Sequence, residues 1–322
     1  MSLYNFFAGF YPAIEKKLTV KRKVSVPVIS VGNITVGGTG KTPLVMKLLN
    51  YYGKKSAVVM RGYGRRSRGV REVLSPDVVE YGDEAVLLKK NFPENIIIVS
   101  ADRYKGARKA EELGANLIIL DDGFQSYELE RNLDILLIDV SVPFKKGVML
   151  PFGSLREPLQ NISRADLILL TNWKNISSED LEKIKEEIID DSGGKKIFKA
   201  EKVLKGFIST PDYAEISPET LKGREALAFC GIGNPASFRS LLINSPLSLK
   251  GFEKFRDHHR WKRSDIDKFF KLAEDKGYLL VTTEKAAVRL PLEAEEEVLA
   301  LVMDFKIDKE TEFFKYADKK IN

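Results

Sequence analysis

Residues 26–43 read Val-Pro-Val-Ile-Ser-Val-Gly-Asn-Ile-Thr-Val-Gly-Gly-Thr-Gly-Lys-Thr-Pro. The segment from Val26 to Val31 is β-branched and apolar, which is typical of a buried parallel strand. Three glycines follow, then Lys41 and Thr42, and then apolar residues at helical spacing. A strand, a glycine-rich loop, Lys-Thr and a helix make up the layout of a phosphate-binding P-loop. The sequence therefore predicts a nucleoside triphosphate site here.

The residue types of this loop suit ATP with Mg²⁺. Glycines allow backbone N–H groups to turn toward a phosphate, and the start of a helix adds unpaired N–H donors. We expect Lys41 to reach the β- and γ-phosphates and the Thr42 hydroxyl to bind Mg²⁺. The predicted ATP-binding residues are Thr35, Val36, Gly37, Gly38, Thr39, Gly40, Lys41 and Thr42.

Two positions depart from known loops of this kind. The usual spacing G-x-x-x-x-G-K-[ST] requires glycine at position 35, where this chain has Thr35. The loop also resembles that of the partitioning-type ATPases, which carry a second lysine just before the two glycines. This chain has Val36 there.

Composition narrows the class of protein. A chain of 322 residues predicts two domains. No apolar run approaches the roughly 20 residues that span a bilayer, and no segment has the order of a cleavable signal peptide. A single cysteine, Cys230, excludes an intramolecular disulfide and favours a reducing compartment. The net charge of +6 suits a nucleotide, a nucleic acid or an acidic membrane surface.

The N-terminal segment, residues 1–24, predicts an amphipathic helix. Its apolar residues fall on one helical face and lysines and arginine follow them. Such a helix can lie on a membrane surface, or it can pack its apolar face on the body of the same protein. The residues alone leave both possibilities open. The apolar residues are Leu3, Phe6, Phe7, Phe10, Tyr11 and Ile14.

An arginine-rich loop follows the second predicted strand, Ser56 to Met60. The loop runs from Arg61 to Gly69 and includes Tyr63. Ligands of open α/β sheets bind beyond the carboxyl ends of the strands. The loop therefore predicts a clamp for an anionic substrate or nucleotide, with Arg61 and Tyr63 as substrate-binding candidates. A solvated loop without function is the alternative.

Aspartates follow three further predicted strands. Asp102, the pair Asp121-Asp122, and Asp139 each come at or just after the carboxyl end of an apolar run. Strand–helix alternation over this length predicts a doubly wound parallel sheet. We expect Asp121 and Asp122 to hold Mg²⁺ near the triphosphate, with Asp139 the weaker candidate. Any of these aspartates can instead cap the turn that follows it.

The second half of the chain predicts another strand, Leu167 to Thr171, and then a smaller α/β domain over residues 206–305. That domain carries a glycine turn at 231–235 and the only two histidines, in Asp257-His258-His259. We expect the P-loop domain to cover residues 25–205, with a C-terminal helix over 306–322 returning to it. A zinc site is not expected, because no third histidine or suitable cysteine completes it.

The ordered set of motifs resembles the tetraacyldisaccharide 4′-kinases of lipid A synthesis. The motifs are Val-Gly-Asn-Ile-Thr-Val-Gly-Gly-Thr-Gly-Lys-Thr-Pro at 31–43, Arg-Gly-Tyr at 61–63, Gly-Asp-Glu at 82–84, Asp-Arg at 102–103, Asp-Asp-Gly-Phe-Gln at 121–125, Leu-Arg-Glu-Pro-Leu at 155–159, Gly-Ile-Gly-Asn-Pro at 231–235, Asp-His-His at 257–259 and Thr-Glu-Lys at 283–285. Together they span nearly the whole chain.

The resemblance implies an ATP-dependent P-loop kinase that phosphorylates the 4′-hydroxyl of a tetraacylated glucosamine disaccharide 1-phosphate. It implies a peripheral protein at the cytoplasmic face of the bacterial inner membrane, and so favours a membrane-facing N-terminal helix. It assigns Asp102 as catalytic base, His258 as its support and Lys41 as a catalytic cation. It also assigns Arg156 and Glu157 to the active site, as substrate-binding residues. No nucleic acid and no obligate protein partner are expected.

Two residues depart from the family pattern, and one rival function remains. Ser126 stands where the family commonly has histidine, and Ala286 where it commonly has aspartate. Both departures bear on fine specificity. The rival is a membrane-associated P-loop ATPase switch that acts on a protein partner. A nucleic-acid binder is disfavoured because the basic residues are not interleaved with aromatic ones.

Overall fold

A computed structural model of the chain describes residues 20–141, 148–150, 152–210, 212–257, 259–291 and 297–322. The described residues form two compact units. The first contains the chain up to Lys202 together with Phe305–Asn322, and the second contains Val203–Asp304. Most of the predicted N-terminal helix, residues 1–24, lies outside the described residues. The part that is described, residues 20–24, is not helical, because Arg22 pairs with Leu129 in a parallel bridge. No helix within the described ranges is long and apolar enough to cross a membrane.

The first unit alternates strands and helices. Its strands are β1 (Val28–Asn33), β2 (Ser56–Met60), β3 (Arg71–Glu72), β4 (Ile96–Val99), β5 (Leu117–Asp121), β6 (Leu133–Asp139), β7 (Leu167–Thr171) and β8 (Lys196–Thr210), which continues into the second unit. Its helices are α1 (Lys41–Tyr52), α2 (Val78–Tyr81), α3 (Asp83–Asn91), α4 (Arg103–Glu112), α5 (Ser178–Ser192) and, at the C-terminus, α9 (Glu310–Ile321).

The strands of the first unit lie in the order β3-β4-β2-β5-β1-β6-β7-β8. All pairs are parallel except β3 on β4. The P-loop strand β1 is central, and its register pairs Val31 with Asp121 at the end of β5. The ends of these two parallel strands therefore meet at one edge, where the P-loop and the acidic pair were both predicted to lie.

Helices cover the sheet because its strands are apolar on both faces. Every residue of β1, β2, β5, β6 and β7 is buried. One core cluster packs α5 through Leu181 and Ile188, and another packs α4 through Ala107 and Ala110. Such near-continuous apolar strands are typical of parallel sheets that are covered on both faces.

The C-terminal helix α9 belongs to the first unit. The Phe314 ring stacks on Tyr51 of α1 with centroids 3.8 Å apart. The hydroxyls of Tyr51 and Tyr52 donate to the Asp318 carboxylate at 2.8 and 3.1 Å. This packing closes one side of the helix that follows the P-loop.

The second unit has a smaller sheet in the order β11-β10-β12-β13-β8, with β9 on β8. Its further strands are β9 (Glu215–Ile216), β10 (Glu225–Cys230), β11 (Ser248–Lys254), β12 (Leu279–Thr283) and β13 (Val298–Ile307), which returns the chain to the first unit. Its helices are α6 (Pro235–Ile243), α7 (Arg263–Lys276) and α8 (Glu284–Ala287). The fold is α/β in both units, as predicted.

Candidate functional site

The P-loop joins β1 to α1 and leaves the start of the helix open. Gly40 is the N-cap residue with φ 98°, and no described side chain caps the first turn. A Cβ at Gly40 would lie 2.7 Å from the Phe305 ring and 3.3 Å from Cε of Lys202, so the position requires glycine. The free N–H groups and the helix dipole attract an anion.

Asn33, the last residue of β1, ties the loop to Lys41. Its Nδ2 donates to Oγ1 of Thr39 at 3.2 Å, and its Oδ1 accepts from Nζ of Lys41 at 3.2 Å. Asn33 is fully buried. No role was predicted for Asn33, although its position between a buried strand and the glycine loop can be seen in the sequence.

The structure explains why Thr35 replaces the usual glycine. Thr35 pairs with Leu155 in an antiparallel bridge, and the N–H of Val36 donates to the Ser154 carbonyl at 2.8 Å. The φ angle of Thr35 is not positive. The backbone is therefore extended at this position, and an extended backbone accepts a side chain without strain.

Asp121 ends β5 with a carboxyl group that is only 5% exposed. Burial raises its pKa to about 7, although Lys41 acts in the opposite direction. Its Oδ1 has no hydrogen-bond partner among the described residues. A buried carboxylate oxygen without a donor is suited to a bound cation.

Asp122 has a positive φ of 54°, and two cationic side chains lie against its carboxylate. Its carboxylate lies 3.3 Å from Nζ of Lys41 and accepts hydrogen bonds from Nη1 of Arg156 at 2.8 and 2.9 Å. Burial works against ionisation, but Lys41 and Arg156 outweigh it and hold the pKa of Asp122 below its ordinary value. Lys41 and Arg156 thus favour the ionised form of Asp122.

Arg156 is anchored beside the loop and remains accessible. Its backbone N–H donates to the Ile34 carbonyl at 2.7 Å, and its side chain is 28% exposed. The guanidinium thus lies at the acidic pair with donors left for another anion.

Glu157, which was predicted to bind substrate, is fully buried. Its carboxylate accepts hydrogen bonds from Gln125, Tyr127 and Asn161 at 2.9, 2.7 and 2.7 Å. It also pairs with Nη2 of Arg164 at 2.9 Å. Both oxygens are occupied, which makes Glu157 a residue that positions its neighbours.

Asp102 is the N-cap residue of α4. Its carboxylate accepts from the N–H of Lys105 at 2.8 Å and lies 3.5 Å from the Lys105 ammonium. This is the capping role that was the alternative for the strand-end aspartates. The side chain is still 32% exposed, and a role as base stays a prediction.

A second pair of carboxylates, Asp83 and Glu84, begins α3. Asp83 is 5% exposed, and the charge of Glu84 contributes to the raised pKa of Asp121. A Cβ at Gly82, which has φ +90°, would lie 2.8 Å from the Tyr63 carbonyl. Carboxylates at a helix start are common, so the sequence alone did not single out this pair.

Arg103 also lies close enough to the acidic pair for their charges to interact. No role was predicted for this residue. It is 5% exposed, and its Nη1 donates to the Ser100 carbonyl at 2.7 Å. Burial lowers the pKa of the guanidinium, while the charges of Asp122 and Asp121 act in the opposite direction. The Asp-Arg motif was the available signal.

The arginine loop is held by its own residues. Arg65 donates to the carbonyls of Val99 and Gly69 at 3.2 and 2.7 Å, so it stabilises the loop. Arg61 is exposed, and its charge acts on Arg103. Tyr63 is 68% exposed. Arg61 thus belongs to the electrostatic surroundings of the site.

In the second unit, His258 lies outside the described residues. Its neighbour Asp257 has a carboxylate oxygen 4.0 Å from the Lys285 ammonium. Nε2 of His259 lies 3.4 Å from Asp265, and its ring packs on Trp261 with centroids 4.8 Å apart. His259 therefore stabilises its own unit.

Comparison with known proteins agrees with this geometry. A family model described as tetraacyldisaccharide-1-P 4′-kinase (LpxK) matches residues 3–322. A tetraacyldisaccharide 4′-kinase of Syntrophobacter fumaroxidans is 37% identical, over 97% of this chain and 84% of that protein. One of Aquifex aeolicus is 36% identical, over 96% of this chain and 93% of that protein.

A solved structure is similar over the same extent. The crystal structure of LpxK from Aquifex aeolicus in complex with ATP has a TM-score of 0.78 at 33% identity. The match covers 99% of this chain and 96% of that one. By its motifs, its fold and these matches, the chain belongs to the tetraacyldisaccharide-1-P 4′-kinase family.

Proposed function

We propose that this protein transfers the γ-phosphoryl group of ATP to the 4′-hydroxyl of a tetraacylated glucosamine disaccharide 1-phosphate. The observation that carries the proposal is the cluster of Lys41, Asp122 and Arg156 beside the open start of α1. Family membership names the acceptor, since relatives along nearly the whole chain are tetraacyldisaccharide 4′-kinases.

ATP binds along residues 35–42. The amides of the loop and of the first turn of α1 donate to phosphate oxygens, and Lys41 neutralises the β- and γ-phosphates. Asn33 and Asp122 already hold the Lys41 ammonium close to the loop. Little reorganisation is therefore needed when the nucleotide arrives, which is the condition for electrostatic catalysis.

Mg²⁺ fits the donors that are present. Asp121 offers an unpartnered buried oxygen, and Thr42 and Asp122 lie at the same edge. No group of three or more His, Cys, Asp or Glu in the described part of the chain could hold a metal alone. Phosphate oxygens would complete the shell, which is the usual way in which proteins bind Mg²⁺. The ion supplies neutralisation of the triphosphate charge.

The transfer needs a base for the 4′-hydroxyl proton. The hydroxyl oxygen bonds to the γ-phosphorus, the bond to the β,γ-bridging oxygen breaks, ADP leaves, and a carboxylate takes the proton. Asp102 is our candidate, with His258 as its support. Asp83 competes for the role, because it begins α3 beside Glu84, whose charge acts on Asp121.

Arg61, Tyr63 and Arg156 are the proposed contacts for the anionic disaccharide. Arg156 has an accessible guanidinium, and Arg61 and Tyr63 are exposed on the neighbouring loop. Glu157 acts indirectly through the side chains that it holds. Acyl chains hold such a substrate in a membrane, and the resemblance to the family implies the cytoplasmic face of the inner membrane. The part of residues 1–24 that precedes Val20 is then the membrane-facing helix.

A labelled-phosphate assay tests the function. ATP labelled at the γ-position is incubated with the protein and Mg²⁺, with and without the acylated disaccharide 1-phosphate. We expect label on the lipid, and loss of the transfer in Lys41→Met. An ATPase switch, which family membership disfavours, would instead release phosphate at a rate indifferent to the lipid.

A further inference from the structure

Lys202 reaches the phosphate loop from a distant part of the chain. It lies on β8 and is the last residue of the first unit before the chain enters the second unit. Its Nζ donates to the Gly38 carbonyl at 3.0 Å, across 164 residues of sequence. Its Cε would lie 3.3 Å from a Cβ at Gly40. The lysine therefore lies against two of the three loop glycines.

This contact fixes one peptide group of the loop. The carbonyl of the Gly38–Thr39 peptide is bonded to Lys202, and its N–H, on Thr39, donates to the Gly37 carbonyl at 3.1 Å. Because a peptide group is planar, bonds at both ends set its orientation. Glycine-rich segments lose much conformational entropy when they order, so a bond made in advance lowers that loss on binding.

No carboxylate among the described residues accepts a hydrogen bond from the Lys202 ammonium. Burial lowers the pKa of Lys202, and the nearby charge of Asp139 acts in the opposite direction. The oxygens of Asp139 accept hydrogen bonds from Ser141 and Asn172. The hydrogen bond shown for Lys202 is the one to the loop, and its positive charge adds to that of Lys41.

We propose that Lys202 is a positioning residue for the polyphosphate of ATP, and that it supplies from β8 the second lysine that the loop lacks at Val36. The inference rests on the proposed function, because it assumes that the loop binds a nucleoside triphosphate. Lys202 acts by holding the Gly38–Thr39 peptide and by adding a cation behind the loop.

The test measures nucleotide binding directly. Lys202→Met removes the donor at similar length, and Lys202→Arg retains a cationic donor. Lys196→Met, an exposed lysine on the same strand, is the matched control. Dissociation constants for ATP and AMP are measured by calorimetry, and folding is checked by thermal melting.

For Lys202→Met we expect the dissociation constant of ATP to rise roughly tenfold, the effect of one charge-assisted hydrogen bond. AMP binding should change by less than about twofold. Lys202→Arg should recover most of the affinity, and KM for ATP should rise with kcat nearly unchanged.

Equal loss for ATP and AMP, unchanged ATP affinity, or a loss that Lys202→Arg does not recover would each overturn the proposal. Lipid phosphorylation is scored separately in the parent protein. If the parent protein binds ATP normally but transfers no label to the lipid, the proposed function is contradicted. The effect of the Lys202 variants on ATP binding can still be interpreted in that case.

Discussion

Replacing Glu157 with glutamine should destabilise the first unit strongly. The carboxylate is fully buried, and it pairs with Arg164, whose Nε and Nη1 have no hydrogen-bond partner among the described residues. The Arg164 guanidinium lies over the Phe124 ring at 4.1 Å, so it cannot readily turn to water. Glu157→Gln would leave this cation, whose side chain is only 16% exposed, without the carboxylate that pairs with it.

The expected loss follows from breaking a buried ion pair by removing one partner, which costs about 3–5 kcal/mol. At about 2–4 °C per kcal/mol for a unit of this size, Tm should fall by roughly 6–20 °C. Glu179→Gln is the control, because Glu179 is 80% exposed and pairs with Lys183 at the surface. That change should cost less than about 1 kcal/mol.

The chain has two units, and these can unfold in separate transitions. The free energy of unfolding therefore has to be measured with a probe that reports on the first unit alone. The protein has two tryptophans, Trp173 and Trp261, one in each unit. A Trp261→Phe background leaves Trp173, which packs on the core cluster that contains Leu155 and Ile162, as the fluorescent reporter. Denaturant titration of Trp173 fluorescence then gives the free energy of unfolding of the first unit.

A double-mutant cycle separates the pair from its surroundings. Glu157→Gln combined with Arg164→Met should be destabilised by clearly less than the sum of the single changes, since the double variant leaves no unpaired charge. A loss below about 1 kcal/mol for Glu157→Gln, or strict additivity in the cycle, would refute the interpretation of Glu157 as the counter-charge of Arg164.

Two further predictions concern carboxyl groups of the first unit. Asp102→Ala should lower kcat by roughly 10²–10⁴ with ATP affinity unchanged; if Asp83→Asn alone shows that loss in the same assay, Asp83 is the base. Burial raises the pKa of Asp134 to about 6, above the ordinary 3.8, although Arg131 acts in the opposite direction. The folded state therefore holds more protons than the unfolded state between these values, and the unfolding free energy should fall by up to about 3 kcal/mol as pH rises from 4 to 7. Asp134→Asn should lose this part of the slope in denaturant titrations at each pH, and equal slopes in parent and variant would contradict it.

The sequence predicted those elements whose signal is local. The strands Ser56–Met60 and Leu167–Thr171 are confirmed with the bounds that were predicted. Their apolar runs are continuous because both faces of the parallel sheet are covered. Strand β11, Ser248–Lys254, was not predicted, because it reads Ser-Leu-Lys-Gly-Phe-Glu-Lys and none of its residues is fully buried. Its strand form depends on pairing with β10, which no local pattern reveals.

The same distinction applies to the site. The spacing of glycines, lysine and threonine predicted the loop between β1 and α1, because backbone geometry there restricts which residues fit. Spacing carried no information on the buried partners. The resemblance assigned Glu157 to the substrate. Its burial could not be seen in the sequence, because its contacts with Gln125 and Tyr127 span about thirty residues.

Residues that hold a loop from behind have no fixed place in the sequence. What matters for Lys202 is that its ammonium reaches the Gly38 carbonyl, and any strand beside the loop could deliver it. The sequence therefore shows that position 36 is Val36 and not a lysine, but it does not show that Lys202 lies at the same loop. If Lys202 acts as we infer, other P-loops that lack the second lysine should show a cation that reaches a loop carbonyl from a distant strand, and their structures offer an independent check on the principle.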